Sequence, residues 1–283
     1  MATISDIQEE LNQAKELQFV SNALTEVSAS KISLIRKEFE TNQQFFDEIN
    51  HIYDLLKQSV PEKTESTRKI VETEVKKPLM AICITPNMRF YGTIPGEVVK
   101  QFMDITGPIG ADRLVVGQTG IDVLNTTHFP HHYSTMVCAQ DIPTREEMTQ
   151  MLELASAYEK VLVFMPKFQT LLRQTAGVID ITHTKPAGEV LKGQVISTLF
   201  EPEVPNIISF FEHQLRTILF SRAMLEAELA LTASRLIAMS AAETRADKEV
   251  AEKKIRLTMA KRALINRQLL ESFAGFLTVK EEE

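Results

Sequence analysis

The sequence has no tryptophan and only two cysteines, Cys83 and Cys138. Two thiols cannot make a disulfide framework, and both stand in apolar runs that read as buried strands, so core filling in a reducing, cytoplasm-like compartment is the expectation. Basic residues are not in excess: 31 Lys and Arg face 38 Asp and Glu, a net charge of −7. That excludes a global basic field for nucleic acid or an anionic membrane, and leaves local patches only. No run approaches the roughly 18 apolar residues needed to span a bilayer, so no transmembrane segment is expected. The opening Ile4-Ser5-Asp6-Ile7, followed by Glu9 and Glu10, reads neither as a signal peptide nor as an Arg-rich transit peptide.

Motifs for chemistry are also missing. Gly117 and Gly120 form only G-x-x-G, without the G-x-G-x-x-G or G-x-x-x-x-G-K-[ST] that cradles phosphates. His128, His131 and His132 flank Pro130, with Asp122 and Asp141 in the neighbourhood, but no helical i,i+4 pair or Cys ligand accompanies them. A surface loop is the better reading. The chain is therefore expected to carry no active site, no metal and no cofactor of its own.

Glycine and proline are absent over two long stretches, Ile4–Leu56 and the residues between Pro205 and Gly275. Such stretches predict two long helices. In the first, Ile4, Ile7, Leu11, Ala14 and Leu17, then Val20, Leu24 and Val27, then Ile32, Ile35 and Phe39, step by threes and fours, a seam of coiled-coil width. Thr3 or Ser5 is the expected N-cap. The second stretch, about 70 residues, would reach roughly 105 Å and must find a partner along most of its length. Its small residues Ala238, Ala242, Ala246 and Val250 read equally as a seam that lets two backbones approach closely and as plain helix-forming alanines.

Between the helices the period changes. Leu79–Ile84, Leu114–Val116 and Val161–Met165 are short apolar runs that read as buried strands. Val98–Ile105 and Thr144–Ala157 read as helices, the latter with a capping box from Thr144 and Glu147. Gly177, Pro186, Gly188 and Gly193 punctuate peripheral strands and loops. The expected organisation is an N-terminal coiled-coil helix over 1–59, a polar linker over 60–77, a small, mainly parallel α/β domain over 78–200, and a C-terminal coiled-coil helix with an acidic tail over 201–283. A compact insert returns the chain near where it left, so the two helices should pair antiparallel.

The second helix holds Arg235-Leu236-Ile237-Ala238-Met239-Ser240-Ala241-Ala242, which resembles the R-M-x-A-M-x-x-A signature of gamma subunits of F-type rotary ATP synthases. Ala260 to Glu271 is similar to that family's A-R-Q-A-x-I-T-x-E-L-x-E segment. Ala23, Leu24, Val27, Ala29 and Lys31 fall where the family has A-M-x-x-V-x-A-x-K, and Phe200 to Leu225 resembles its F-E-P entry and the segment after it. The turn Pro86–Gly92 keeps one of the usual glycines, Leu24 stands for Met, Lys261-Arg262 stand for R-Q, and the acidic residue usually preceding the R-M segment is absent. These differences mark a divergent member or a specialised paralogue.

The resemblance implies a central rotor shaft that couples rotation of a membrane c-type ring to conformational change in a ring of alpha- and beta-type subunits, with an epsilon-type subunit as a further partner. It implies partner contacts at Lys261, Arg262, Asn266, Gln268, Arg235 and Leu24, and a peripheral position at the cytoplasmic face of a bacterial plasma membrane. Periodicity alone also fits a coiled-coil scaffold or adaptor with an α/β head and no link to ATP.

Overall fold

A computed structural model of the chain describes residues 3–59, 77–182 and 204–281. The order of elements is α1 (Ile4–Ser59), β1 (Lys77–Ile84), α2 (Ile94–Thr106), β2 (Asp112–Val116), α3 (Gln118–Thr126), β3 (Ser134–Met136), α4 (Arg145–Ser156), β4 (Tyr158–Thr170), β5 (Arg173–Asp180) and α5 (Val204–Glu281). Residues 60–76 of the expected 60–77 linker, and the glycines and proline between 186 and 193, lie outside the described residues, while Lys77 opens β1. The described chain forms two compact units, one from residues 3–28 with 236–281 and the other from Ala29 to Arg235.

Thr3 is the cap of α1: its hydroxyl accepts from the Asp6 N–H at 3.2 Å while its own N–H donates to the Asp6 carboxylate at 2.8 Å. In the first unit, Leu11 and Ala14 of α1 pack with Val250 and Leu257 of α5, and Ile4 and Ile7 border them. Gln18 donates to Asp247 at 2.6 Å and Lys253 to Glu10 at 3.0 Å. Rising numbers in α1 meet falling numbers in α5, so the helices run antiparallel.

The seam itself differs from the expected one. Leu17, Val20 and Val27 are exposed, whereas Ser21 and Ser28 are buried. With Ala14 they sit seven residues apart, the coiled-coil repeat carried by small side chains that permit close backbone approach. On α5, Ala246 and Val250 are buried as expected, while Ala238 and Ala242 are half-buried.

The second unit is built on a five-stranded sheet of order β3-β2-β1-β4-β5, parallel except for the edge strand β5, which runs antiparallel to β4. Continuous apolar strands arise because both faces are covered. On one face Ile82, Ile84, Val116 and Val163 pack with Met151 and Ala155 of α4 and with Phe220, Ala223, Met224 and Ala227 of α5. On the other, Cys83, Val115 and Phe164 pack with Val98, Val99 and Phe102 of α2 and Leu124 of α3. The Thr144–Glu147 capping box forms in full at the start of α4. Cys83 lies in β1 as expected, but Cys138 lies in the loop after β3 rather than in a strand, although it too is buried. Burial, followed by Glu147, pushes the Cys138 thiol up to about 12.

Candidate functional site

The loops that leave the C-terminal ends of β1 and β3 meet α5 in the second unit. The β1 loop is held at its base by a close backbone approach. Thr85 donates its hydroxyl to the Val116 carbonyl at 2.7 Å and accepts from the Gly120 N–H at 2.9 Å. Gly117 has φ 93, and a Cβ there would lie 1.9 Å from the Thr85 carbonyl oxygen. The G-x-x-G of the sequence is therefore a packing device that lets β1, β2 and α3 converge.

Asn87 then ties three segments. Its amide nitrogen donates to the carbonyls of Cys138 at 2.7 Å and Gln140 at 3.0 Å, and its oxygen accepts from the Gln118 N–H at 3.1 Å. Gly92, the glycine retained in this turn, adopts φ 62, a left-handed conformation that glycine takes without strain.

Asp141 sits at the centre. One carboxylate oxygen accepts from the backbone N–H groups of Asn87 and Met88 at 3.1 and 3.0 Å. The other accepts from the Tyr91 hydroxyl at 2.5 Å and from the Arg235 guanidinium at 3.1 Å. Arg235 lies over the Tyr91 ring, 4.1 Å from its centroid, and also donates to the Tyr91 hydroxyl. Ser234 donates to the Tyr91 carbonyl at 2.7 Å. The Arg235 and Asp141 side chains are 14% and 21% exposed, so this ion pair is largely desolvated.

Burial pushes the Asp141 carboxyl up, but the donors from Tyr91 and Met88 and the Arg235 charge outweigh it and hold it below the usual carboxylate range. The Tyr91 hydroxyl is raised by burial and then by Asp141. Lys31 of α1 pairs with Glu228 of α5 at 2.6 Å beside the network. Together these residues line a cleft of about 310 Å³.

The arrangement can hold an anion, and the chain's own carboxylate already occupies the seat. In an α/β nucleotide site the amides after β1 face a phosphate; here they face Asp141. Among the described residues no group of three or more His, Cys, Asp or Glu could hold a metal. His131 instead packs edge-on against Phe129.

The sequence-predicted contact residues separate. Lys261, Arg262, Asn266 and Gln268 are exposed on α5 in the first unit, and Leu24 is half-buried on α1. Arg235 belongs to the second unit, where it is engaged with Asp141 and Tyr91. The acidic partner of Arg235 is Asp141, 94 residues away in the chain. Sequence reasoning missed Tyr91, Glu228 and the role of Asp141; the one available signal was an arginine lacking its customary acidic neighbour.

Along residues 261–274 every side chain of α5 is exposed, including Leu264, Ile265, Leu269, Leu270 and Phe273. Leu270 is 70% exposed, and on α1 Phe19 is 76% exposed. No helix among the described residues is long and apolar enough to cross a membrane.

Comparison with known proteins agrees in fold and in extent. The chain is 22% identical over 292 residues to the ATP synthase gamma chain of Staphylococcus saprophyticus, covering 99% of this chain and 100% of that one. It is 22% identical to the gamma chain of Pelagibacter ubique, covering 97% and 99%. Among solved structures it resembles a chain of the Euglena gracilis mitochondrial ATP synthase rotor, with a TM-score of 0.64, 14% identity and coverage of 93% and 98%. It also resembles a chain of the Tetrahymena thermophila mitochondrial ATP synthase central stalk and c-ring, with a TM-score of 0.56, 18% identity and coverage of 79% and 99%. The family model described as ATP synthase matches residues 3–279, and the chain belongs to that family as a gamma-type member.

Proposed function

We propose that this chain is the central rotor shaft of an F-type, proton-translocating ATP synthase. It couples rotation of a c-type ring to the conformations of catalytic sites in a surrounding ring of alpha- and beta-type subunits. The observation that carries this reading is the distal part of α5, where Leu264, Leu269, Leu270 and Phe273 stand exposed on a helix that leaves none of its faces covered over 261–274. Apolar side chains on all sides of one helix need an enclosing partner, and a ring of subunits around a shaft is one. A scaffold with an α/β head would account for the helices, but the similarity to gamma chains runs the whole length and does not favour it.

In this role the chain carries out no chemistry. Its orientation biases the ring between states. Lys261, Arg262, Asn266 and Gln268 are the polar contacts toward the ring, and Leu24 contributes an apolar one. The epsilon-type subunit is the remaining partner, and the assembly sits at the cytoplasmic face of the plasma membrane as a peripheral complex.

Co-purification of the full chain should bring down alpha- and beta-type subunits; a chain recovered without them would contradict the reading. Replacing Lys261→Glu and Arg262→Glu together reverses two charges on a fully exposed face, so folding is expected to be retained while ATP-driven proton uptake in reconstituted vesicles falls several-fold. Unchanged uptake would remove these two residues from the contact surface.

A further inference from the structure

The second unit holds α5 in two different ways. Phe220, Ala223, Met224 and Ala227 pack on the sheet through apolar contact, which is strong but non-directional and resists turning of the helix about its own axis only weakly. Further along, Ser234 and Arg235 bond to Tyr91 and Asp141, and those bonds are directional. Arg235 is also the last residue of this unit.

We propose that Asp141 is a positioning residue for torque transfer: its carboxylate fills an anion seat made by the Asn87 and Met88 amides, the Tyr91 hydroxyl and the Arg235 guanidinium, and so fixes the rotational setting of α5 in the second unit. The proposal rests on the rotor reading. Its geometry is specific. The donors come from segments far apart in the chain, with Arg235 lying 144 residues from Tyr91 and 94 from Asp141. The carboxylate is the acceptor they share. Without it, two amides and a mostly buried guanidinium would face one another with no counter-charge, and the β1 loop would be tied to the β3 loop only by the Asn87 side-chain amide.

The test uses the full chain in the reconstituted synthase. Asp141→Ala is expected to lower proton uptake per ATP hydrolysed by about threefold or more. Added formate, a small carboxylate able to enter the vacated seat, should restore much of that loss. Asp141→Asn keeps an acceptor for the two amides but offers Arg235 no charge; it should show a smaller loss that formate does not repair.

A coupling ratio in Asp141→Ala equal to that of the unaltered chain would overturn the proposal, and so would a loss that formate leaves untouched. Amide hydrogen exchange on the isolated full chain reads the seat directly. The Asn87 and Met88 amides should exchange faster in Asp141→Ala and slow again with formate, and exchange rates indifferent to the substitution would overturn the assignment of the seat. Failure of the unaltered chain to drive any proton uptake would instead overturn the rotor reading, and the torque role with it.

Discussion

Replacing Gly117 by alanine is expected to destabilise the second unit by about 4 kcal/mol, the combined effect of a glycine-only backbone conformation and a clash with a neighbouring strand. Gly117 adopts φ 93 and ψ 145 at the entry to α3. A side chain there is strained whatever the space, and the space is lacking: a Cβ would lie 1.9 Å from the Thr85 carbonyl oxygen and 2.6 Å from its carbon. These are backbone atoms at the end of β1, so relief requires β1 and β2 to separate where Thr85 donates to the Val116 carbonyl. For a unit of this size the loss corresponds to a fall of roughly 10 °C in Tm, a large share of the usual 5–15 kcal/mol of total stability. Gly96→Ala is the control. It lies in α2 with nothing within 4 Å of the added atom, and should change stability by about 1 kcal/mol or less. Thermal and urea unfolding of the two variants check the contrast; equal stabilities would show that the close approach at Thr85 is not rigid.

Phe102→Ala should be comparably damaging, at about 4 kcal/mol, because it empties the centre of the α2 face of the sheet. The ring is fully buried and meets Phe164 of β4 edge-to-face, with centroids 5.3 Å apart and planes at 87°. Phe129 closes the far side at 6.3 Å. Cys83 and Val115, which share this core, are short and held in the sheet, so they can do little to refill the space. Phe102→Leu retains most of the volume and should lose about 1.5 kcal/mol or less. Urea midpoints would separate the two, and a Phe102→Ala loss no larger than that of Phe102→Leu would mean that the site collapses around the missing ring.

Much of this architecture is legible in the residues. β1, β2 and β4 announce themselves because burial on both faces removes every polar residue from their centres, and α4 because Thr144 and Glu147 satisfy each other's backbone. The two terminal helices follow from the missing glycine and proline. What could not be read has physical reasons. β3 is three residues long and α3 nine, too short for a period to show. The α1 seam is misjudged because hydrophobicity is a poor guide on a helix that displays Leu17, Val20 and Val27 outward and buries Ser21 and Ser28. At the site, Arg235 stands out in sequence but Asp141 does not: the two are 94 residues apart, and an aspartate in a loop carries no mark of the partner it will meet.

The antiparallel seam between α1 and α5 also dictates an order of assembly. Glu10 and Lys253, which pair across it, are 243 residues apart in the chain. Closing a loop of that length between two otherwise unstructured ends is entropically unfavourable, and few contacts reward it at first. The sheet, by contrast, joins β1 to β2 and β4 to β5 over short separations, and the formed sheet shortens the effective loop. Refolding should therefore be biphasic, with Phe102-region burial preceding pairing at Gln18 and Asp247, and pulse-labelled hydrogen exchange would reveal the reverse order if it occurred. Synthesis from the N-terminus imposes the same schedule. α1 emerges first yet waits, with Leu11 and Ala14 uncovered, until Val250 and Leu257 of α5 are made, so this apolar seam stays unpaired for most of translation.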